Sequence, residues 1–405
     1  MRALRGLAAA LCCLCLWAQD RQGEALLDYM HAKLSASFAR ADEAGNQEFL
    51  VLAVPGIPLQ PDELETPDYI SGLVDQVPGP GRNYTPSGRR YSVIYEEILN
   101  QVAASRLQVA ADADLALKAK RMLFDRSRLG KPSREYLAYL KYAAEYATAQ
   151  DARAIALAES RTSSKPVSPD LEKAVAAARK NLVNLGYRQR ILKAQADLLQ
   201  GYESNAKVMF ENLRRQFRSA RRHTGGDGQP WMPVLASPPM DQWLSGNGWH
   251  PWAFHQSDCG PGSRPEVDWS PAMTLTVQIK RVKVERPWLD TVIFSTHNWR
   301  LQDSARYRLV SSGDPEDPDP GPMPVLVTGI LLARQLSLTG YAPGPTGRRQ
   351  AAPPAHLGPF ALKGSKSRPP RGDGGTAIQV EDPQIIALIC RVVPKSPTPD
   401  PRLFR

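Results

Sequence analysis

The chain has 405 residues, of which 42% are hydrophobic and 7% aromatic, so it is long enough for two or three domains with hydrophobic cores. Its formal net charge of +10 is spread along the sequence, which excludes a dedicated basic tail and gives only weak support for nucleic-acid binding. Prolines and glycines concentrate in residues 224–271, in residues 312–375 and at the C-terminus. These stretches are predicted to be loops or linkers.

The first 18 residues have the layout of a secretory signal peptide. A basic start is followed by an apolar run over residues 6–18 and then by an acidic residue. This run is too short to span a bilayer comfortably. The sequence therefore predicts a secreted protein, with a cytoplasmic protein as the alternative if residues 1–18 begin a folded helix. After cleavage only Cys259 and Cys390 remain, and the sequence leaves open whether they pair.

Residues 19–90 are predicted to form a cap region on the helical domain after them. Apolar side chains recur at helical spacing in residues 24–42, at Leu26, Leu27, Met30, Leu34 and Phe38. The next apolar run, EFLVLAVPGIPL, is broken by two prolines, which is typical of a strand or an extended buried segment.

A long-helix domain is predicted over residues 91–223. Its three helices are expected over residues 92–129, 133–159 and 169–222. Ser133 and Ser168 are suitable N-caps, and Pro169 suits the first helical position. We expect the third helix to be continuous and the three to pack as an elongated antiparallel hairpin or bundle. The apolar stripe is similar to a coiled-coil seam, although no strict heptad persists.

Residues 224–270 form a connector rich in tryptophan, proline and glycine, and seven of the eight tryptophans lie between residues 231 and 299. We expect these rings to seal the joint between a helical and a β domain, with ligand binding or membrane contact as alternatives. The preceding segment RRQFRSARRH either binds phosphate or offsets the helix dipole. The candidate binding surface takes residues from both segments: Trp243, Trp249, Trp252, Arg218, Arg221 and Arg222.

The connector also contains residues of the types that can bind zinc. They are His250, His255, Asp258 and Cys259. Their spacing matches no standard zinc signature, so we expect no metal site. No stretch of the chain carries a catalytic or cofactor motif, and we expect no cofactor.

Residues 271–395 are predicted to form an antiparallel β-sandwich, and residues 396–405 a tail. The expected strands include SARYRLVSS, MPVLVTGILLARQLSLTG and PQIIALICRVVPK, which are rich in β-branched residues between turn clusters. In MTLTVQIKRVKVE the apolar residues change phase, which predicts a β-bulge near Lys280 and Arg281.

The stretch from Arg286 to Asp290 is interpreted as a structural corner. Pro287 cannot donate to a strand ladder and ends the strand, and Trp288 then covers the open end of the sheet. Asp290 either caps the segment TVIF or pairs with Arg286. A catalytic Arg–Asp pair is the alternative, but no nucleophile or second acid lies nearby in sequence.

The predicted fold class is α+β, with the helical hairpin or bundle preceding the sandwich. Three functions are compatible with these sequence features. The one that needs the fewest unseen features is a non-enzymatic interaction or structural protein, with a helical stalk and a β-sandwich binding domain. The others are a secreted membrane-active protein of the pore-forming kind and a hydrolase with its site in the tryptophan-rich joint. Expected partners are a protein or a second copy of this chain, or else an anionic membrane surface or a glycan; nucleic acid is not expected.

Overall fold

The architecture comes from a computed structural model, which describes residues 26–40, 47–59, 67–125, 132–163, 166–223, 230–244, 247–255, 269–341, 355–362, 366–368 and 376–404. The chain mixes helices with antiparallel sheets, and this confirms the predicted α+β class. The signal-peptide prediction and Cys259 lie outside the described residues.

The helices are α1 (26–38), α2 (Pro67–Asp75), α3 (Tyr91–Gln101), α4 (Ala110–Leu123), α5 (Arg134–Ser163), α6 (Pro169–Asn184), α7 (Arg188–Glu203) and α8 (Ala206–Ala220). Short 3₁₀ turns cover Met240–Gln242, Thr291–Ser295 and Pro401–Phe404.

The strands of the first half are β1 (Glu48–Pro58), β2 (Gln76–Pro78), β3 (Pro86–Arg90), β4 (Val102–Ala104), β5 (Arg222–His223), β6 (Pro230–Trp231), β7 (Leu235–Ser237) and β8 (His250–His255). Those of the second half are β9 (Trp269–Glu285), β10 (Trp299–Leu301), β11 (Val325–Tyr341), β12 (His356–Leu357), β13 (Phe360–Ala361), β14 (Lys366–Arg368), β15 (Thr376–Val380) and β16 (Gln384–Val392).

The main sheet is built on the two long strands β9 and β11, which pair with each other antiparallel. On the other edge of β11, β16 pairs with its first half and β15 with its second half. β1 then pairs with the outer edge of β16, and β14 with the outer edge of β15. β7 and β8 pair with the outer edge of β9. The predicted two-sheet sandwich is not confirmed. The main sheet has eight strands, and its faces are packed against helices and, at Leu357 and Phe360, against the two-stranded sheet of β12 and β13.

Both faces of β9 are buried, and this overturns the predicted bulge. Leu275, Val277 and Ile279 pack in one hydrophobic cluster with α1, whereas Val282 and Val284 pack in the other cluster with the remaining helices. The register against β11 is continuous from residue 278 to residue 283, so no bulge lies at Lys280 and Arg281. The apolar phase changes because the first half of the strand has its apolar side chains on one face and the second half has them on the other. Both faces are buried, as in central strands that are covered on both sides.

The segment predicted as one long third helix contains three helices, α6, α7 and α8. The first break is at Gly186, whose amide donates to the Asn181 carbonyl at 3.0 Å and closes the end of α6. A Cβ atom on Gly186 would lie 2.5 Å from the Leu182 carbonyl oxygen, so a larger residue does not fit. The second break is at Asn205, whose side-chain amide exchanges two 3.0 Å hydrogen bonds with the backbone of Val109.

Long-range pairing also changes two other predicted elements. The helix predicted over 92–129 ends at Gln101, because residues 102–104 form β4 and pair with β10. SARYRLVSS is not a strand: its end is held by an isolated bridge between Ser311 and Ser396. The predicted caps are confirmed, since Ser133 Oγ accepts from the Tyr136 amide at 3.0 Å and Ser168 Oγ from the Asp170 amide at 3.3 Å.

Tryptophans fill the boundary between helices and sheet. Trp288 contacts the rings of Tyr95 and Phe217 at centroid distances of 6.2 and 6.0 Å, and Trp299 contacts Phe210 at 5.7 Å. One hydrophobic cluster thus includes residues from both the predicted helical and the predicted β domain. The predicted domain boundaries remain a prediction. Within the described part of the chain, no helix has the length and apolar character needed to cross a bilayer.

Candidate ligand-binding cleft

A cleft of about 410 Å³ lies where the main sheet is irregular. Three residue steps along β11, from Arg334 to Ser337, match two steps along β9, from Gln278 to Thr276, and Gln335 takes the left-handed backbone conformation with φ 52°. On the other edge, β15 ends at Val380 and β16 begins only at Gln384. A non-glycine residue at positive φ is strained, and such strain is concentrated at functional positions in proteins.

The cation of the cleft is Arg334, and its position is fixed from two sides. Its guanidinium carbon lies 4.1 Å from the centroid of the Trp249 ring, a close cation–π contact. One terminal nitrogen, Nη1, donates to the Leu244 carbonyl at 2.5 Å. Gly248, with φ +91°, allows the chain to turn just before Trp249 and bring the ring under the guanidinium.

A second cation lies on the same tryptophan. The Lys280 ammonium is 5.4 Å from the Trp249 centroid and donates to the carbonyls of Gln242 and Trp243 at 2.7 and 3.4 Å. Lys280 is only 2% exposed. Burial, and to a lesser degree the charge of Arg334, lower the pKa of Lys280.

Two buried donors at this place have no hydrogen-bond partner among the described residues. They are Nε of Arg334 and Nε1 of Trp249. No carboxylate of the described chain forms an ion pair with Arg334 either. Buried donors are nearly always satisfied in folded proteins, so these two are exceptions; of the two residues, only Arg334 lines the cleft.

The walls of the cleft combine apolar and polar side chains. They are Leu244, Leu336, Val380 and Pro383 on the apolar side, and Arg334, Gln335, Ser337, Gln379 and Glu381 on the polar side. Polar groups that converge beside an apolar wall can orient a ligand.

The predicted candidate surface is only partly at the surface. Trp249 is half-buried beneath Arg334. Trp243 is fully buried and donates to the Pro238 carbonyl at 2.9 Å, and Trp252 is 2% exposed, so neither ring is open to a ligand. The two rings also belong to different hydrophobic clusters on opposite faces of the sheet. Packing overturns a shared surface here, because both indoles are large enough to fill the core.

The predicted arginines lie on another element. Arg218 is exposed on α8, and Arg221 directly after it forms a 3.4 Å ion pair with Glu96. The side chain of Arg222 lies outside the described residues. Among the described side chains, neither Arg218 nor Arg221 contacts Trp249, and the binding role predicted for the three arginines stays a prediction.

The corner residues are held by the core. Trp288 is 1% exposed and donates to the Pro233 carbonyl at 2.9 Å. Asp290 caps the turn Thr291–Ser295 by accepting from the Val292 amide at 3.1 Å, and it does not pair with Arg286. Burial raises the pKa of Asp290. The Pro287 carbonyl accepts from Gln216 of α8.

Arg286 is buried without an acid partner among the described residues. Its guanidinium donates to the Val327 carbonyl at 2.6 Å and to the Val74 carbonyl, and it lies 4.8 Å from the centroid of Tyr91. Burial lowers the pKa of Arg286, opposed by its electrostatic interactions with Tyr91 and Asp75. The interpretation as a catalytic Arg–Asp pair therefore has no geometry to support it.

A buried charged cluster was not predicted from the sequence. Glu48 pairs with Arg281 and accepts from Thr328 Oγ1 at 3.0 Å, and Arg40 pairs with Asp151 at 2.5 Å. Burial raises the pKa of Asp151 to about 6, opposed by the charges of Arg40 and Arg281. Asp151, Arg281 and Thr328 are each more than 40 residues from one another and from Arg40 and Glu48 in sequence, so no local pattern predicts the cluster.

Two of the predicted zinc-type residues, His250 and His255, lie at opposite ends of β8. His250 is half-buried, and burial lowers its pKa with a smaller contribution from Arg40. His255 Nδ1 is 3.1 Å from Thr274 Oγ1. Asp258 and Cys259 lie outside the described residues. Cys390 is a buried free thiol, and burial raises its pKa.

No known protein family matches the chain, and no curated protein or solved structure is significantly similar to it.

Arg334 and Gln335 were missed as candidate site residues, although the sequence does carry a signal. In ILLARQLSL two consecutive polar residues interrupt an apolar run and shift its alternation, which is what a bulge in a buried strand requires. The strand itself is confirmed as part of β11. The stacking on Trp249 joins residues 85 positions apart and had no sequence signal.

Proposed function

We propose that this protein is a non-enzymatic interaction protein, and that the cleft at the β11 bulge binds an acidic, extended segment of a protein partner. The observation that carries the proposal is the Arg334 guanidinium, stacked at 4.1 Å on Trp249 and lining an open cleft without a described carboxylate partner. A planar guanidinium held in place is well suited to bind a carboxylate through two hydrogen bonds.

The interrupted ladder favours an extended ligand. Between Val380 and Gln384 the strand leaves the sheet, and opposite it β11 bulges at Gln335. An added peptide strand obtains affinity from main-chain hydrogen bonds and specificity from pockets for alternate side chains. The apolar wall formed by Leu244, Leu336 and Val380 is suited to an aliphatic residue next to the acid.

The helices have a supporting role in this proposal. The connector that carries Leu244 and Trp249 packs between the helical layer and the sheet, so the helices hold the cleft in place. In this proposal a helical layer supports the main sheet, while the predicted stalk and two-sheet sandwich are not confirmed. Secretion, predicted from residues 1–18, remains part of the proposal.

The test is selection of short random peptides displayed on phage against the full-length chain, with binding of the selected peptides then measured by fluorescence anisotropy. We expect peptides with at least one Asp or Glu beside an aliphatic residue. Arg334→Gln should weaken their binding at least about tenfold, which corresponds to about 1.4 kcal/mol.

Arg308→Gln is the matched control, because Arg308 is an exposed arginine outside the cleft. It should bind the selected peptides as the wild type does. The proposal fails if selection yields no acidic preference, or if both variants bind equally well.

A further inference from the structure

We propose that the turn between α6 and α7, residues 179–190, is a peripheral attachment site for an anionic lipid bilayer. We call this segment the α6–α7 corner. The inference is independent of the peptide cleft, which lies at the sheet.

Exposed apolar side chains concentrate at the α6–α7 corner. Val183, Leu185 and Tyr187 are 37, 50 and 38% exposed. Elsewhere in the described residues such side chains are single or, at Leu107 and Val109, form a pair, whereas these three alternate from the end of α6 to the start of α7. Single exposed apolar residues are ordinary, but a group of them marks a surface that meets another apolar phase.

The same stretch is basic and contains no acid. Between Glu172 and Asp197 the sequence has six cations and no Asp or Glu: Lys173, Arg179, Lys180, Arg188, Arg190 and Lys193. Arg179, Lys180 and Arg190 are exposed, and none forms an ion pair with a described residue. Arg190 lies 5.6 Å from the Tyr187 ring centroid, so cation and ring are presented together. Basic residues around aliphatic and aromatic side chains are the composition that binds anionic membrane interfaces.

The local sequence of the corner is unfavourable for helix stability. Tyr187 begins α7 in the left-handed conformation with φ 52°, and its side chain makes no capping hydrogen bond. The first turn of α7 has no acid and instead contains Arg188 and Arg190, at the helix end where cations are disfavoured. Sequences usually depart from such local rules where function requires it.

Shape favours a bilayer over an acidic peptide helix. A peptide helix binds in a groove that covers its apolar face. The neighbouring cleft between α5 and α6, about 460 Å³, is lined by Val183 but not by Leu185 or Tyr187. These two side chains are exposed on a turn that joins two helices. A turn of this kind can enter the headgroup region while its cations remain at the phosphates.

The test is co-sedimentation of the full-length chain with sucrose-loaded vesicles of phosphatidylcholine containing phosphatidylserine, and with vesicles of phosphatidylcholine alone. We expect binding at least about tenfold stronger to the anionic vesicles, falling as salt rises. The double variant Leu185→Ser/Tyr187→Asn should lose at least about tenfold in binding. Asparagine is chosen because it tolerates the left-handed conformation, so thermal stability should not fall at position 187.

Arg190→Glu should reduce binding about fivefold or more while stabilising α7, because an acid in the first turn favours the helix. If Arg190 had only a structural role, Arg190→Glu would instead leave vesicle binding unchanged and destabilise α7. The control is Leu137→Ser, since Leu137 of α5 is 52% exposed and lies away from the corner in sequence. It should bind like the wild type. The proposal is overturned if wild type does not bind anionic vesicles, if the corner variants bind unchanged, or if an acidic amphipathic peptide displaces the protein from vesicles.

Discussion

Two arginines buried on opposite faces of the main sheet are neutralised in different ways. Arg281 faces α1 and pairs with the Glu48 carboxylate within a cluster of four charges, and it also donates to the Phe38 carbonyl at 2.9 Å. Arg286, just beyond the end of the same strand β9, has only backbone carbonyls and the ring of Tyr91 around its guanidinium.

The difference shows how much each site depends on a single side chain and on pH. Carbonyls and an aromatic ring do not titrate in the physiological range, so the environment of Arg286 is fixed by the backbone of two other elements. The environment of Arg281 depends on carboxylates, and one member of that cluster, Asp151, has a pKa of about 6. A paired site can therefore be broken by one substitution or by a pH change, while the carbonyl site resists both.

The largest expected effect is on the paired site. Glu48→Ala leaves Arg281 buried without its carboxylate, which should lower the free energy of unfolding by about 3–5 kcal/mol. This loss is measured by urea denaturation, with unfolding monitored by circular dichroism. The exposed pair of Arg300 and Asp303 provides the control, because Asp303→Ala should cost less than about 1 kcal/mol.

A double variant sharpens this result. Glu48→Leu combined with Arg281→Met removes both charges and should recover most of the lost stability. Equal stability of wild type and Glu48→Ala would show that the Arg281 charge is compensated in some other way.

The next effect is a pH dependence of stability from Asp151. Its pKa is raised from 3.8 to about 6 in the folded state, so between these values the folded chain binds a proton that the unfolded chain has released. The contribution of Asp151 to stability is therefore greatest below pH 3.8 and decreases as pH rises to about 6, by about 2–3 kcal/mol.

Comparison of wild type with Asp151→Asn isolates this contribution. His250 also makes stability depend on pH, with the opposite sign, because its lowered pKa makes stability fall as pH decreases. This contribution is present in both proteins and cancels in their difference. The difference in free energy of unfolding between the two proteins should thus change across the window. A difference that is constant with pH would contradict a raised pKa of Asp151.

The smallest of these effects concerns the carbonyl site. Arg286→Met leaves the carbonyls of Val327 and Val74 without this donor but also removes a desolvated cation, so we expect a net loss of about 2 kcal/mol. Between pH 4 and 7 the loss should stay nearly constant, within about 0.5 kcal/mol, since the carbonyls and the Tyr91 ring do not titrate there and Asp75 acts on Arg286 only through a longer-range electrostatic interaction. Denaturation curves of both proteins at the acidic and the neutral end of this pH range measure whether the loss is constant. A loss that grows with pH would indicate that Asp75, rather than the carbonyls, neutralises Arg286.

Local sequence patterns were sufficient for several elements. The spacing of Met30, Leu34 and Phe38 predicted α1, and all three side chains are buried. Ser133 and Ser168 predicted two helix starts, because a serine cap acts within three residues of itself. The α+β class follows from the same short-range periodicities.

Elements that depend on partners distant in sequence were predicted poorly. Helix α3 ends where residues 102–104 pair with β10, about two hundred residues later, and α7 ends where Asn205 bonds to Val109. The change of apolar phase in β9 was visible in the sequence, but only the helices packed on both faces show that it is not a bulge.

The sequence by itself determined the helical and strand periodicities, the caps and the mixed fold class, since these depend on contacts within a few residues. Only the tertiary structure decided the single sheet, the two compensated arginines and the stacking of Arg334 on Trp249. Each of these joins side chains from separate elements, and whether a buried charge or ring finds its partner depends on packing that no short segment encodes.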